Sequence, residues 1–165
     1  MEIGINYLES TKHQFLYYKN IGEKAIDQLE ENQLFLNFNE NSNSIATIIK
    51  HLSGNMISRW TNFFTTDGEK DWRNRDAEFE HEITTKEELL KIWNNGWDCF
   101  LKSLNSIQPN QLSTTIFIRN EPHSVIEAIN RQLAHYPYHI GQIIFYAKML
   151  KNSEWESLSI PKKKG

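Results

Sequence analysis

In the stretch "QLAHYPYHIGQIIFYAKML", residues 132–150, His135 and His139 stand four positions apart. On a helix that spacing puts both imidazoles on one face, one turn apart, where they can share a metal ion. The same pair could instead make ordinary hydrogen bonds at the edge of a core. A third histidine, His51 in "IIKHLSGN", lies on the flank of another apolar face. A ligand supplied by a neighbouring helix would sit there. Three histidines on one ion leave positions for water or substrate, as in catalytic rather than structural zinc sites. The ion lowers the pKa of the water or thiol it binds and so produces a nucleophile near neutral pH. No catalytic group beyond that water or thiol can be named from the sequence.

The segments that must position these residues read as four helices. The first runs from about Tyr7 to Glu31, with Leu8, Thr11, Phe15, Tyr18, Gly22, Ala25 and Leu29 stepping by threes and fours along one seam. The second starts near Ser44, and Ile45, Ile48, Ile49, Leu52, Met56 and Phe63 share its apolar face. Thr85 with Glu88 forms a capping box that opens the third, whose stripe is Leu89, Trp93, Trp97, Phe100 and Leu104. A short strand pair is expected around Thr115 to Arg119. Ser124 with Glu127 opens the fourth helix, Val125 to Lys151. The fold class is therefore all-α, a four-helix bundle in one domain over residues 1–165, with a long polar loop at 65–83 between the second and third helices.

Pro137 lies between the paired histidines. At about 100° per residue it falls about 160° round the helix from each of them. On that outer side it removes one backbone hydrogen bond and is expected to bend a continuous helix, convex to solvent, while leaving the shared face of His135 and His139 intact.

Several residues are candidates for the surroundings of the ion or for substrate contact. Asn55 is one turn from His51, and Gln142 and Tyr146 continue the histidine row. All three could also be plain packing or bridging groups. In the loop, Trp72, Arg73, Arg75 and Asp76 lie close together. Arginine suits a carboxylate or phosphate and tryptophan can cover a ligand, but an arginine–aspartate network that orders the loop uses the same residues. A loop this long in a compact domain often contributes to a site, and residues 71–80 are expected to wall the metal pocket. His13, His81 and His123 have no partner at ligand spacing. Cys99, beside the third helix's aromatic stripe, has no nearby histidine to activate it.

The composition is that of a globular protein. Net charge is −3 and spread along the chain, which argues against a nucleic-acid surface. The terminal Lys162–Lys164 run reads as a solvated tail. A single cysteine fits a reducing compartment, and no apolar run is long enough for a membrane span. A cytoplasmic protein is expected. There is no glycine-rich phosphate loop and no G-x-S-x-G elbow, so nucleotide and serine-hydrolase chemistry are unsupported.

"SIATIIKHLSGN" followed by "SVIEAINRQLAHYPYHIGQIIFYAK" resembles the DinB family of metal-binding four-helix bundles, and the loop resembles that of a subgroup common in bacilli. His51, His135 and His139 match that family's histidine positions, and Ile140, Gly141 and Gln142 match the residues that trail the pair. Pro137 departs from the pattern. Three imidazoles suit a divalent metal, zinc or nickel first, with iron, manganese or copper as alternatives, and the resemblance implies a metal site and a homodimer. It also implies a transferase that uses a low-molecular-weight thiol on a small-molecule substrate. Metal-dependent hydrolysis and a non-catalytic, metal-stapled bundle linked to stress are the other readings.

Overall fold

The structure is a computed structural model that describes residues 2–79 and 83–160. In chain order the elements are α1 (Glu2–Asp27), a one-turn α2 (Glu31–Leu34), α3 (Ile45–Trp60), α4 (Lys86–Ser106), the strands β1 (Thr115–Ile118) and β2 (Glu121–Ser124), and α5 (Val125–Lys151). Helix makes up 67% and strand 5%, so the all-α class holds. The long helices pack in a ring: α1 on α5, α5 on α3, α3 on α4 and α4 on α1. No helix among the described residues is long and apolar enough to cross a membrane.

The helix starts follow from side-chain caps. Ser44 Oγ accepts from Thr47 N, Thr85 Oγ1 from Glu88 N and Ser124 Oγ from Glu127 N. At α5 the box is reciprocal, because Glu127 accepts in turn from Ser124 N at 2.6 Å. Each cap satisfies backbone donors that the first helical turn leaves unpaired. α1 differs from the sequence expectation at both ends. It begins five residues before Tyr7 and stops at Asp27, and Glu31 belongs to α2 instead. Ile3 and Ile5 are exposed, so no buried seam marks the first turn. Phe63 is buried with the α3 face but lies past the end of that helix, stacked on Trp60 at 4.5 Å.

Pro137 does not interrupt α5, which runs unbroken through it. The proline is half-buried rather than fully outside, and its neighbour Tyr138 takes the exposed position. Tyr136 sets the rotation of the helix. Its ring is fully buried among Phe15, Trp97 and Phe100. Its hydroxyl accepts from Trp60 Nε1 at 3.0 Å and donates to Asn55 Oδ1 at 3.4 Å. With Tyr136 directed into the core, its neighbours on the same side of α5, His135 and His139, are carried to the α3 side.

The strand pair is a tight antiparallel hairpin. Arg119 and Asn120 both take positive φ, 57° and 63°, the signature of a type I′ turn that usually recruits glycine. Here the Asp67 carboxylate accepts from both of their backbone N–H groups, at 2.8 and 2.7 Å. The hairpin thereby anchors the 61–79 segment, and Gly68 N adds a bond to Phe117 O.

α3 and α4 approach closely because Gly96 faces Ser53. A Cβ at Gly96 would lie 2.7 Å from the Ser53 Cα. Gly96→Ala is therefore expected to force α3 and α4 apart and to lower unfolding stability by about 1–3 kcal/mol, an overpacking cost. Urea denaturation of the two proteins measures the difference.

Candidate metal centre

α3 delivers His51, and α5 delivers His135 and His139, across the groove between the two helices. All three imidazoles are half-buried, and one nitrogen from each lies within 4.8 Å of the others. His51 Nε2 is 3.4 Å from His135 Nε2, and His135 Nε2 is 3.1 Å from His139 Nε2. Imidazole nitrogens at ~2.0–2.1 Å from a tetrahedral ion would be about 3.4 Å apart.

The opposite side of each ring fixes its tautomer. His51 Nδ1 is 3.0 Å from Glu78 Oε2, His135 Nδ1 is 3.4 Å from Gln132 Oε1 and His139 Nδ1 is 2.7 Å from Gln142 Oε1. The Glu78 carboxylate can only accept, so His51 Nδ1 carries the proton; where Gln132 and Gln142 present their oxygens, the other two Nδ1 atoms donate as well and each Nε2 is left with its lone pair. Three lone pairs then point at one another. A cation is what such a donor set fits, and oxygen partners behind the imidazoles orient the rings as in known metal sites. Burial, then the neighbouring imidazoles His139 and His51, pushes His135 down to about 3. Burial and His51 likewise hold His139 below the ordinary histidine value, against the opposing pull of Gln142. Neutral imidazole is the ligating form.

Glu78 is the group the sequence did not disclose. It lies in a 3₁₀ turn, Asp76–Phe79, and is buried against α3. Arg73 grips it with two bonds, Nε to Oε1 at 2.8 Å and Nη2 to Oε2 at 3.1 Å. Burial acts to raise this carboxyl, but the bonds from His51 and Arg73 outweigh it and keep it ionised. The space for Glu78 exists because Gly54 lies beneath it: a Cβ there would fall 2.2 Å from Glu78 Oε1. The 65–83 loop thus reaches the centre through Glu78, and Phe79 adds a ring 6.4 Å from that of His51. Glu80 and His81 lie outside the described residues.

The other candidates separate. Gln142 touches His139 directly. Asn55 faces Tyr136 instead of a histidine, and the Tyr146 hydroxyl donates to Leu36 O at 2.9 Å. Arg73 is occupied by Glu78 and lies 3.6 Å from Glu69, which Arg59 and Arg119 also approach. The ordering network of the loop is thus arginine–glutamate, not arginine–aspartate. Arg75 and Asp76 are exposed, and Trp72 is 60% exposed and lines a different cavity, with Lys70 and Arg119. His123 bonds to the Glu121 carbonyl, and Cys99 contacts Thr61. Gln132 also went unmarked in the sequence. With Gln142 it brackets the histidine pair as Q-x2-H-x3-H-x2-Q, a symmetry that can be read directly.

Glu78→Ala should weaken metal binding about 10–100-fold, the usual cost of losing the partner behind a ligating histidine. Trp72→Ala should leave it unchanged. Competition titration against a chromophoric chelator measures both, and equal affinities for the two variants would dissociate Glu78 from the centre.

Comparison with curated proteins and with solved structures gives no match. A family model described as "Protein of unknown function (DUF1572)" matches residues 2–164. That span takes in all three histidines, Glu78 and every helix, and the chain belongs to the DUF1572 family.

Proposed function

We propose that this chain is a metal-dependent enzyme of the DinB-like four-helix-bundle type, transferring a small thiol to a small electrophile. The observation that carries the reading is the convergence of three imidazole nitrogens, each ring backed by an oxygen on its Nδ1. Among the described residues the donor group has three members, and three protein ligands are the pattern of ions that bind a reactant. Bound there, a divalent ion would supply the positive charge that lowers a thiol's pKa.

The chain's residues have distinct parts. His51, His135 and His139 would hold the ion, and Glu78, Gln132 and Gln142 keep their rings aimed. The Arg73–Glu78 pair joins the loop to α3, so the loop's order and the aim of His51 go together. No carboxylate on α3 or α5 faces the imidazoles as a general base, which favours release of the thiol proton to water. The sulfur then bonds to the electrophilic carbon, and the leaving group departs with the electrons of the bond that breaks.

The test is a panel of small thiols with a chromogenic electrophile, using metal-loaded protein and His139→Ala. Metal-dependent turnover is expected, falling about 100-fold or more in the variant, because several kcal/mol of charge stabilisation goes with the ion. Metal-dependent ester or amide hydrolysis without thiol transfer would move the protein to the hydrolase class. Loss of bound metal in the variant with no activity of either kind would make the ion a structural staple.

A further inference from the structure

A cavity of about 530 Å³ opens one helical turn from the histidines along the α3–α5 groove. Ile48, one turn before His51, and Gln142, one turn after His139, both line it. We propose that this cavity binds the substrate's body, and that the substrate is a neutral molecule with an apolar or aromatic part and a hydrogen-bonding group. The proposal rests on the enzymatic reading above for the word substrate; the binding itself does not.

The lining sets the chemistry. Phe38, Phe145 and Met149 supply apolar surface, and Asn41, Asn43 and Gln142 supply amides. None of the lining residues is Asp, Glu, Lys, Arg or His. An ion placed there would lose hydration with no opposite charge to replace it, whereas a neutral polar group finds amide donors and acceptors. The volume lies within the ~300–1,000 Å³ that small-molecule sites span. By contrast, the cavity beside Trp72 is walled by Asp67, Glu69, Lys70, Asp71 and Arg119 and has no histidine of the centre in it.

Gln142 links cavity and centre. Its Oε1 is committed to His139 Nδ1, whereas its amide nitrogen donates to no protein group among the described residues. That nitrogen is free to donate to a ligand carbonyl. The far wall is the 36–43 segment, which Tyr146 ties to α5 through the Leu36 carbonyl. Phe38 and Phe145 are 67% and 68% exposed, a large apolar surface for two residues beside a polar cleft. A ligand that enters between them covers it.

N-benzylacetamide and its anionic isostere 3-phenylpropionate are the probes, titrated into ¹⁵N-labelled full-length protein, metal-loaded and chelator-stripped. The neutral probe should shift the amides of residues 38–43 and 142–149, and it should bind about 10-fold more tightly than the anion. Phe145→Ala should weaken it about 5-fold or more, as expected when an aromatic contact is lost. Tyr138→Ala, an exposed aromatic on the same helix but outside the lining, should not. Equal binding of the two probes, shifts elsewhere, or no binding at all would overturn the proposal. So would a concentration-dependent dimer that Phe145→Arg dissociates while neither probe shifts these residues, because the surface would then be a subunit interface. If the neutral probe binds as expected in both metal states and no reaction is found, the cavity stands and the enzymatic reading falls. If thiol transfer occurs but only charged electrophiles react and the cavity residues do not shift, the reverse holds.

Discussion

Three imidazole nitrogens held within 4.8 Å of one another, with His135 Nε2 3.4 Å from His51 Nε2 and 3.1 Å from His139 Nε2, crowd their lone pairs together, and the fold spends much of its detail on keeping them there. Neither α3 nor α5 could impose this alone. His135 and His139 share a face by helical spacing, but His51 arrives from a helix 84 residues earlier in sequence. What brings the helices into register is apolar burial. Tyr136, next to His135, is locked into an aromatic cluster by Trp60 and Phe100, and Trp60 belongs to α3. The core therefore sets the rotation of both ligand-bearing helices through the buried contacts of Tyr136 with Trp60 and Asn55. The repulsion left at the edge of that core is what an ion would relieve.

The second constraint is electrostatic and lies in the loop. A carboxylate as buried as Glu78 would be expensive without partners. It has a bidentate arginine on one side and an imidazole N–H on the other. Removal of either would leave charge exposed to a poorly solvated environment. The segment around it is held independently of the site: Asp67 caps the hairpin turn, Ser58 accepts from Lys70 N, and Lys50 donates to the Ala77 carbonyl. A long, polar, aperiodic stretch is thereby made rigid enough to aim an imidazole.

These facts explain what could be read from the sequence and what could not. The long helices were legible because burial follows their period: Leu89, Trp93, Trp97, Phe100 and Leu104 are all buried along α4, as the stripe requires. The caps at Thr85 and Ser124 were legible because a hydroxyl or carboxylate three residues from its partner is a local matter. The histidine cluster was legible from spacing on α5 and from face on α3. Glu78 was not. It acts across 27 residues of chain, from a loop with no period, and its place depends on the absence of a side chain at Gly54. Trp72 and Arg75 look more functional in sequence than Glu78 does, yet they are exposed, whereas Arg73 and Glu78 are paired against α3. The α1 boundary was misjudged for a related reason: its first turn is helical without being buried, and amphipathic pattern reports burial rather than helicity.

The centre and the neutral cavity make opposite demands on their surroundings. The imidazoles need acceptors behind them and positive charge in front. The cavity is lined without ionisable side chains other than the Tyr146 phenol, whose pKa burial raises. Charge is therefore confined to one layer of the α3–α5 groove and excluded from the next, and Gln142 stands at the boundary. A glutamate in its place would accept from His139 equally well and would donate nothing, and it would put an anion on the cavity wall. An amide serves both layers because it is neutral and has an acceptor at one end and a donor at the other. Its partner on the other side of the histidine pair, Gln132, is almost fully buried and does not line this cavity. The two glutamines therefore do the same work on the imidazoles, and only one of them can also meet a ligand.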